Sequence, residues 1–245
     1  MKDGFADKWC VSFGQSGHEV KVYGNIASSK PLPVVYLSTI AGEGGEIWRQ
    51  CLQHGCADFV LVEVAVGSWN DDLTPWPGPA LRRRAEPFGG KADEYLRVLA
   101  QSIVPRVERM LAAAPLWRGI AGYSLAGLFA LYCVWQTKLF DRVAAMSPSV
   151  WYWGFAEYIE ESAPVRVPDR VYLSLGDAEC KAKDPTLAVV GECLEQMRML
   201  LQRAGAEVAY RAESGNHFDD PEGRTARGIR ALLLERPSAC VGDNT

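Results

Sequence analysis

The chain has 245 residues, of which 48% are hydrophobic and 23% charged, and its formal net charge is −4. This composition is typical of a soluble globular protein, and we expect residues 1–245 to form a single α/β domain. The mildly negative charge argues against nucleic acid or an anionic membrane as a partner. The sequence also lacks an apolar run of about eighteen residues, the length that a membrane-spanning helix requires.

The N-terminal residues and the cysteines both favour a cytoplasmic protein. The chain begins M-K-D-G-F-A-D-K-W, which lacks the apolar core of a signal peptide. The seven cysteines are irregularly spaced and form no C-x-x-C pair, so neither a disulfide framework nor a zinc site is predicted. We therefore expect a cytoplasmic location, no metal site and no cofactor.

The first part of the chain predicts a hairpin followed by two buried strands. Two short alternating runs within residues 9–24 are separated by Gly14 and Gly17, which predicts an antiparallel hairpin. Near-continuous apolar runs at residues 33–38 and 58–66 predict strands that are buried on both faces.

A glycine-rich loop, T-I-A-G-E-G-G-E, follows the first buried strand and leads into a predicted helix over residues 46–53. The loop lacks the G-K-[ST] ending of a phosphate-binding loop, so nucleotide binding is not predicted. A loop in this place can supply one backbone N–H to an oxyanion, and Ile40 is the candidate. A plain connection between strand and helix is an equal alternative.

Residues 67–90 form a long irregular segment. Loops of this length in a compact domain are usually functional or disordered, and Trp69 and Trp76 argue against disorder, because disordered segments are poor in aromatic residues. Asp71 and Asp72 fit solvated or capping residues better than metal ligands, since no histidine accompanies them.

The rest of the chain alternates predicted helices and strands. Apolar residues at helical spacing predict a helix over residues 92–114, which Pro105 is expected to kink. The other predicted elements are strands at 143–146, 170–176 and 207–211 and helices at 125–136, 186–204 and 223–234. This alternation predicts an α/β fold with a mostly parallel central sheet and helices on both faces.

Residues 118–131, R-G-I-A-G-Y-S-L-A-G-L-F-A-L, read as an apolar strand, an abrupt turn at Ser124 and a helix. This is the pattern of a nucleophile elbow. The residues two before and two after the serine must be small, because strand and helix nearly touch there; they are Gly122 and Ala126. Such a string also occurs by chance, so its meaning depends on an acid and a histidine further along the chain.

Both partners are present in the expected order. His217 follows the last predicted strand, and Asp177 and Glu179 follow the strand before it. Serine, acid and histidine after successive strands is the chain order of α/β-hydrolases. Imidazole can accept the serine proton near neutral pH, and a buried carboxylate fixes its tautomer. We favour Glu179 as the acid, three residues past Gly176, with Asp177 as the alternative.

The remaining site residues are predicted from their place beside these three. The backbone N–H groups of Leu125 and Ile40 are the expected oxyanion donors. Aromatic residues beyond strand ends can line a pocket, because open parallel sheets bind ligands at that edge, although core packing explains them equally well. The candidates for substrate contact are Tyr123, Trp69, Trp76, Trp151 and Trp153.

These motifs together resemble the Putative esterase family of α/β-hydrolases, which includes enterochelin-type siderophore esterases, feruloyl esterases and S-formylglutathione hydrolase. The matching pieces are P-V-V-Y-L-S, A-G-Y-S-L-A-G-L-F-A-L, M-S-P-S-V-W-Y-W, L-S-L-G-D-A-E and G-N-H-F, in order over residues 33–235. The S-P-S-V-W-Y-W segment is most similar to the siderophore-esterase-like branch. Ala126 replaces the common glycine, and Ser38-Thr39 stand where many members have Asp-Gly. The resemblance implies an α/β-hydrolase fold and ester hydrolysis.

The sequence therefore predicts a serine hydrolase that cleaves a small-molecule carboxylic ester through an acyl-enzyme. Two alternatives stay open. One is a non-catalytic ligand-binding protein on a hydrolase scaffold, because fold does not imply function. The other is an acyltransferase that uses the same triad with an alcohol or sugar as acceptor.

Overall fold

The computed structural model describes residues 11–40 and 42–234. The start of the predicted hairpin at Trp9 and the two terminal cysteines, Cys10 and Cys240, lie outside the described residues.

Within the described residues, a twisted central sheet contains eight strands in the order β1-β2-β4-β3-β7-β8-β9-β10. The two remaining strands, β5 and β6, pair only with each other. All pairings from β4 to β10 across the sheet are parallel, whereas β2 pairs antiparallel with both β1 and β4. The strands are β1 Val11–Gln15, β2 His18–Tyr23, β3 Val34–Thr39, β4 Val60–Ala65, β5 Pro77–Gly78, β6 Phe88–Gly89, β7 Arg118–Tyr123, β8 Arg142–Met146, β9 Arg170–Gly176 and β10 Glu207–Glu213.

Helices cover both faces of this sheet, which confirms the predicted α/β-hydrolase architecture. Alternate residues of β3 show the division, because Val34 and Tyr36 join one core cluster while Val35 and Leu37 join the other. The helices are α1 Glu43–Gln53, α2 Trp69–Asp72, α3 Ala92–Val98, α4 Val104–Glu108, α5 Leu125–Gln136, α6 Phe155–Glu161, α7 Pro185–Ala188, α8 Val190–Arg203 and α9 Pro221–Leu233.

The two core clusters differ in size. The smaller one packs α1 and α9 against the sheet, and the larger one packs α3, α5 and α8 against the opposite face. Helix α5 is apolar all round, and its residues from Leu125 to Trp135 are buried. A helix of this kind belongs in the middle of a core rather than at its surface.

The N-terminal antiparallel hairpin is confirmed. Gln15 of β1 pairs with His18 of β2 across a two-residue turn. The turn residues Ser16 and Gly17 have φ angles of 51° and 84°. Positive φ at both positions is the geometry whose twist matches a right-handed strand pair.

The helix predicted over residues 92–114 is interrupted by a π-helical turn at Leu99–Ile103, which joins α3 to α4. Pro105 explains the interruption, because proline has no N–H to donate and its ring crowds the preceding turn. The wider π-helical turn accommodates the missing N–H of Pro105, and within it the Val104 N–H donates to the Leu99 carbonyl.

Strand β7 and helix α5 approach each other most closely at Gly122. A Cβ atom on Gly122 would lie 2.1 Å from the carbonyl oxygen of Ala126. Contact at that distance is impossible without moving the backbone, so only glycine fits this position. The small Ala126 lies on the other side of the same contact and is buried.

We expect the substitution Gly122→Ala to lower the free energy of unfolding by about 1–3 kcal/mol or more, as overpacked core sites do. Urea denaturation followed by far-UV circular dichroism measures the change. Gly14→Ala is the matched control, because a Cβ atom on Gly14 would meet nothing within 4 Å, and its effect should stay below about 0.5 kcal/mol. Equal urea midpoints for the two variants would contradict the close approach.

Candidate active site

Ser124 lies in the sharp turn between β7 and α5. Its backbone has φ 57° and ψ −122°, a combination that L-residues rarely adopt and that costs about 1–3 kcal/mol. Neighbouring backbone holds the turn in place, because the Ser124 N–H donates to the Met146 carbonyl at 3.1 Å and the Ser124 carbonyl accepts from the Ser149 N–H at 3.0 Å. The turn therefore presents the hydroxyl beyond the carboxyl end of β7.

The imidazole of His217 lies between two side chains from other strand ends. Its Nε2 is 2.9 Å from Ser124 Oγ, and its Nδ1 is 2.8 Å from Glu179 Oε2. With the proton on Nδ1, the ring donates to the carboxylate and accepts from the serine hydroxyl. The Tyr123 hydroxyl also donates to the His217 carbonyl at 2.7 Å, which ties the histidine loop to the residue that precedes the serine.

Glu179 lies in a short 3-10 turn, Glu179–Lys181, that follows β9. The side chain is buried, and its second oxygen, Oε1, accepts from Ser147 Oγ at 2.6 Å and from the Gly176 N–H at 2.7 Å. Burial raises the pKa of this carboxyl, but the hydrogen bonds from His217, Ser147 and Gly176 outweigh it, and the pKa lies below its ordinary value. Glu179 is therefore ionised at neutral pH.

Arg224 supports this carboxylate from behind and was not predicted from the sequence. It lies in α9, and only 1% of its surface is exposed. Its Nη1 donates to Glu179 Oε1 at 3.3 Å and to the Tyr123 hydroxyl at 3.1 Å, and its Nη2 donates to the Ser214 carbonyl at 2.9 Å. An arginine in an amphipathic helix is indistinguishable from a surface residue by sequence pattern alone.

Asp177, the alternative acid, lies elsewhere. Its side chain is exposed, and its Oδ1 accepts from the Gly215 N–H at 3.0 Å. Asp219 similarly accepts from the Asn216 N–H at 2.6 Å. Both carboxylates hold the backbone of the loop that carries His217, while the imidazole itself contacts Glu179.

The two predicted oxyanion donors, Leu125 and Ile40, lie on different elements. Leu125 is the first residue of α5, so its N–H belongs to the helical turn whose N–H groups have no partner within the helix. Ile40 directly follows β3, and its side chain is 59% exposed. Ile40 and Ser124 line the same cavity.

This cavity has a volume of about 290 Å³ and opens beside the serine. Ser124 and His217 form part of its wall. Of the predicted substrate-contact residues, Tyr123 and Trp69 line it.

The other three predicted contacts, Trp76, Trp151 and Trp153, do not line this cavity, and the structure places them in an aromatic cluster instead. The Trp76 Nε1 donates to the Trp153 carbonyl at 2.8 Å, and the rings of Trp153 and Trp151 each pack against Phe88. The aromatic rings of the long segment 67–90 thus pack against those of the segment that follows β8. Core packing, which the sequence left as an equal alternative, accounts for these residues.

Neither a metal-binding cluster nor a membrane-spanning helix occurs among the described residues. No group of three or more His, Cys, Asp and Glu side chains among residues 11–40 and 42–234 could hold a metal ion. Within the same residues, each helix is too short or too polar to cross a membrane.

Solved structures with the same architecture come from different organisms. The siderophore hydrolase EstB from Aspergillus nidulans aligns with a TM-score of 0.71 and 17% identity over 93% of this chain and 95% of its own. An IroE-like serine hydrolase from Shewanella oneidensis aligns with a TM-score of 0.72 and 15% identity over 91% of this chain and 80% of its own. Likeness at these identities shows the fold alone.

Sequence comparison identifies a relative and a family. The chain is 28% identical over 156 residues to the uncharacterized protein YbbA of Bacillus subtilis (strain 168), and the match spans 62% of each chain. The sequence model of one family, described as Putative esterase, matches residues 18–217 and so covers most of the chain. The chain belongs to the Putative esterase family.

Proposed function

We propose that this protein is a serine hydrolase that cleaves a carboxylic ester through an acyl-enzyme on Ser124. The observation that carries the proposal is the pair of contacts made by His217, at 2.9 Å to Ser124 Oγ and 2.8 Å to Glu179 Oε2. Such a serine–imidazole–carboxylate chain activates a hydroxyl that is otherwise a weak nucleophile.

In the first half of the reaction, Ser124 Oγ attacks the ester carbonyl carbon while His217 Nε2 accepts the hydroxyl proton. The carbonyl oxygen becomes an oxyanion, which the N–H groups of Leu125 and Ile40 stabilise in our proposal. The imidazolium then donates its proton to the departing alkoxide. An alcohol leaves, and the acyl group stays on Ser124.

The second half repeats these steps with water. His217 takes a proton from a water molecule, whose oxygen attacks the acyl-enzyme, and the proton returns to Ser124 Oγ as the carboxylic acid leaves. Glu179 holds the ring in one tautomer and stabilises the imidazolium in both halves. Its lowered pKa keeps the carboxylate charged while the proton stays on the imidazole.

The substrate that we propose is a small-molecule carboxylic ester. Solved relatives are named as siderophore hydrolases, so a siderophore ester is one candidate substrate. We place the reaction in the cytoplasm, because Cys51, Cys56, Cys133, Cys180 and Cys193 are free thiols, as is usual in a reducing compartment.

We expect Ser124→Ala to reduce hydrolysis of p-nitrophenyl butyrate by at least about 10³-fold, because the acyl-enzyme cannot form. A fluorophosphonate probe should label the wild type and not this variant. Ser12→Ala, an exposed position in β1, is the control and should behave as the wild type. Full activity or labelling in Ser124→Ala would overturn the proposal. Ester products formed from an added alcohol, in place of acid, would identify an acyltransferase.

We expect Glu179→Gln to lower kcat by about 10³–10⁴-fold, because an amide can hold the ring in the wrong tautomer and does not stabilise the imidazolium. Asp177→Asn removes an exposed carboxylate that bonds only loop backbone, and it should cost less than about tenfold. Steady-state kinetics on both variants, with circular dichroism as a check of folding, makes the comparison. A larger loss in Asp177→Asn would assign the acid role to that residue.

A further inference from the structure

The wall of the cavity beside Ser124 is mostly apolar. The apolar members come from β3 and the residue after it, from α1, from the start of α2, and from the start of α9 and the loop before it: Leu37, Ile40, Ile47, Trp69, Phe218 and Pro221. A group that binds here gains free energy by leaving water, and it gains in proportion to its apolar area.

The volume limits the group that can enter. A cavity of roughly 150 Å³ lined by Leu, Ile and Phe is enough to bind benzene. The cavity of about 290 Å³ therefore has room for one ring with a few substituents, or for a chain of similar size.

The charged side chains that line this cavity are both acidic. Glu43 lies in the first turn of α1, Glu222 lies in the first turn of α9, and both are half-buried. No lysine or arginine side chain lines the cavity among the residues that the structure describes. An anionic group would lose its hydration, meet two carboxylates and find no lysine or arginine to pair with among the described residues that line the cavity.

We propose that this site selects esters in which the group that occupies the cavity is small and apolar, and that it rejects groups that carry an acid. The inference rests on the proposed ester hydrolysis and goes on to name the class of substrate. It follows from the lining and size of one cavity rather than from the triad.

Three p-nitrophenyl esters of one chain length test the charge selection: the neutral hexanoate, the anionic adipate half-ester and the cationic 6-aminohexanoate. We expect kcat/KM, normalised to uncatalysed hydrolysis, to be at least about 30-fold lower for the adipate than for the hexanoate. Each of Glu43→Gln and Glu222→Gln should raise the adipate-to-hexanoate ratio by about three- to tenfold. Glu46→Gln, an exposed position of α1 outside the cavity, should leave the ratio unchanged.

Adipate cleaved as fast as hexanoate would overturn the charge selection while leaving the hydrolase proposal intact. Failure of all three esters, together with no labelling by a fluorophosphonate, would instead overturn the proposed function. A ratio that shifts equally in Glu46→Gln would show that the effect is one of overall charge, and it too would contradict the role of the cavity.

A separate observation concerns Glu63, which lies in β4 with only 1% of its surface exposed. Its Oε1 accepts from Thr39 Oγ1 at 3.0 Å and from the Gly44 N–H at 2.9 Å, and its Oε2 accepts from the Tyr23 hydroxyl at 2.9 Å. A buried carboxylate is tolerated only when its oxygens are bonded in this way.

Two of these donors bracket the loop that carries Ile40. Thr39 is the last residue of β3, and Gly44 lies in the first turn of α1. A Cβ atom on Gly44 would lie 2.3 Å from Glu63 Oε2, so the carboxylate fits against bare backbone. One side chain thus fixes both ends of the loop.

We infer that Glu63 is a positioning residue that sets the Ile40 N–H for the oxyanion, which again rests on the proposed function. A loop released at both ends no longer presents its N–H in one place, and misplacement by about 1 Å can cost about 10²-fold in rate. Glu63 would act on the transition state, and hence on kcat, without contacting the substrate.

Glu63→Gln tests this role, because it keeps the shape of the side chain and removes its charge. We expect kcat for p-nitrophenyl hexanoate to fall by about 10–100-fold while KM changes less than about threefold, and the rate of fluorophosphonate labelling to fall with kcat. Tyr23→Phe is the matched control, since it removes a donor to the same carboxylate and leaves both loop contacts. A lower melting temperature with an unchanged kcat in both variants would overturn the positioning role.

Discussion

The site depends on one backbone constraint, the reversal of the chain at Ser124. A residue with φ 57° and ψ −122° is stable only where its surroundings leave no alternative. Three backbone contacts hold this turn: the Ala126 carbonyl lies against Gly122, the Ser124 N–H donates to the Met146 carbonyl, and the Ser124 carbonyl accepts from the Ser149 N–H. The strain is local, and the hydrogen bonds and buried apolar area of β7, β8 and α5 offset it.

The parallel sheet then brings the partners together. Strands β7, β9 and β10 run in the same direction, so the residues that follow them meet at one edge. Ser124, Glu179 and His217 come from these three strand ends. Buried polar groups support this arrangement: Arg224 and Ser147 bond the Glu179 carboxylate, and Glu63 bonds both ends of the loop after β3.

Local pattern predicts much of this arrangement. The hairpin, the elbow and five other strands, β3, β4, β8, β9 and β10, follow from periodicity and from glycine at tight turns. The order of serine, acid and histidine follows from the chain order of the strands. The sequence cannot show whether Trp76, Trp151 and Trp153 line the pocket or pack in the core, because both environments use aromatic residues. Arg224 is also not identifiable there, because its burial depends on partners distant in the chain. The apolar run at residues 58–66 predicts that Glu63 is buried, but it does not identify the residues that bond its carboxylate. The sequence does not predict the π-helical turn before Pro105, because the surrounding packing decides between such a turn and a sharp kink.

The bond from the Tyr123 hydroxyl to the His217 carbonyl has a consequence for how the protein inactivates on heating. Tyr123, which precedes Ser124, thus holds the segment that carries His217, and Arg224 donates to the same Tyr123 hydroxyl. Ser124 and the imidazole of His217 are thereby tied to the end of β7, a strand inside the sheet, and central strands open less readily than loops. Loss of the aligned pair on heating should then coincide with cooperative melting of the whole sheet, with no earlier, partial opening around the histidine.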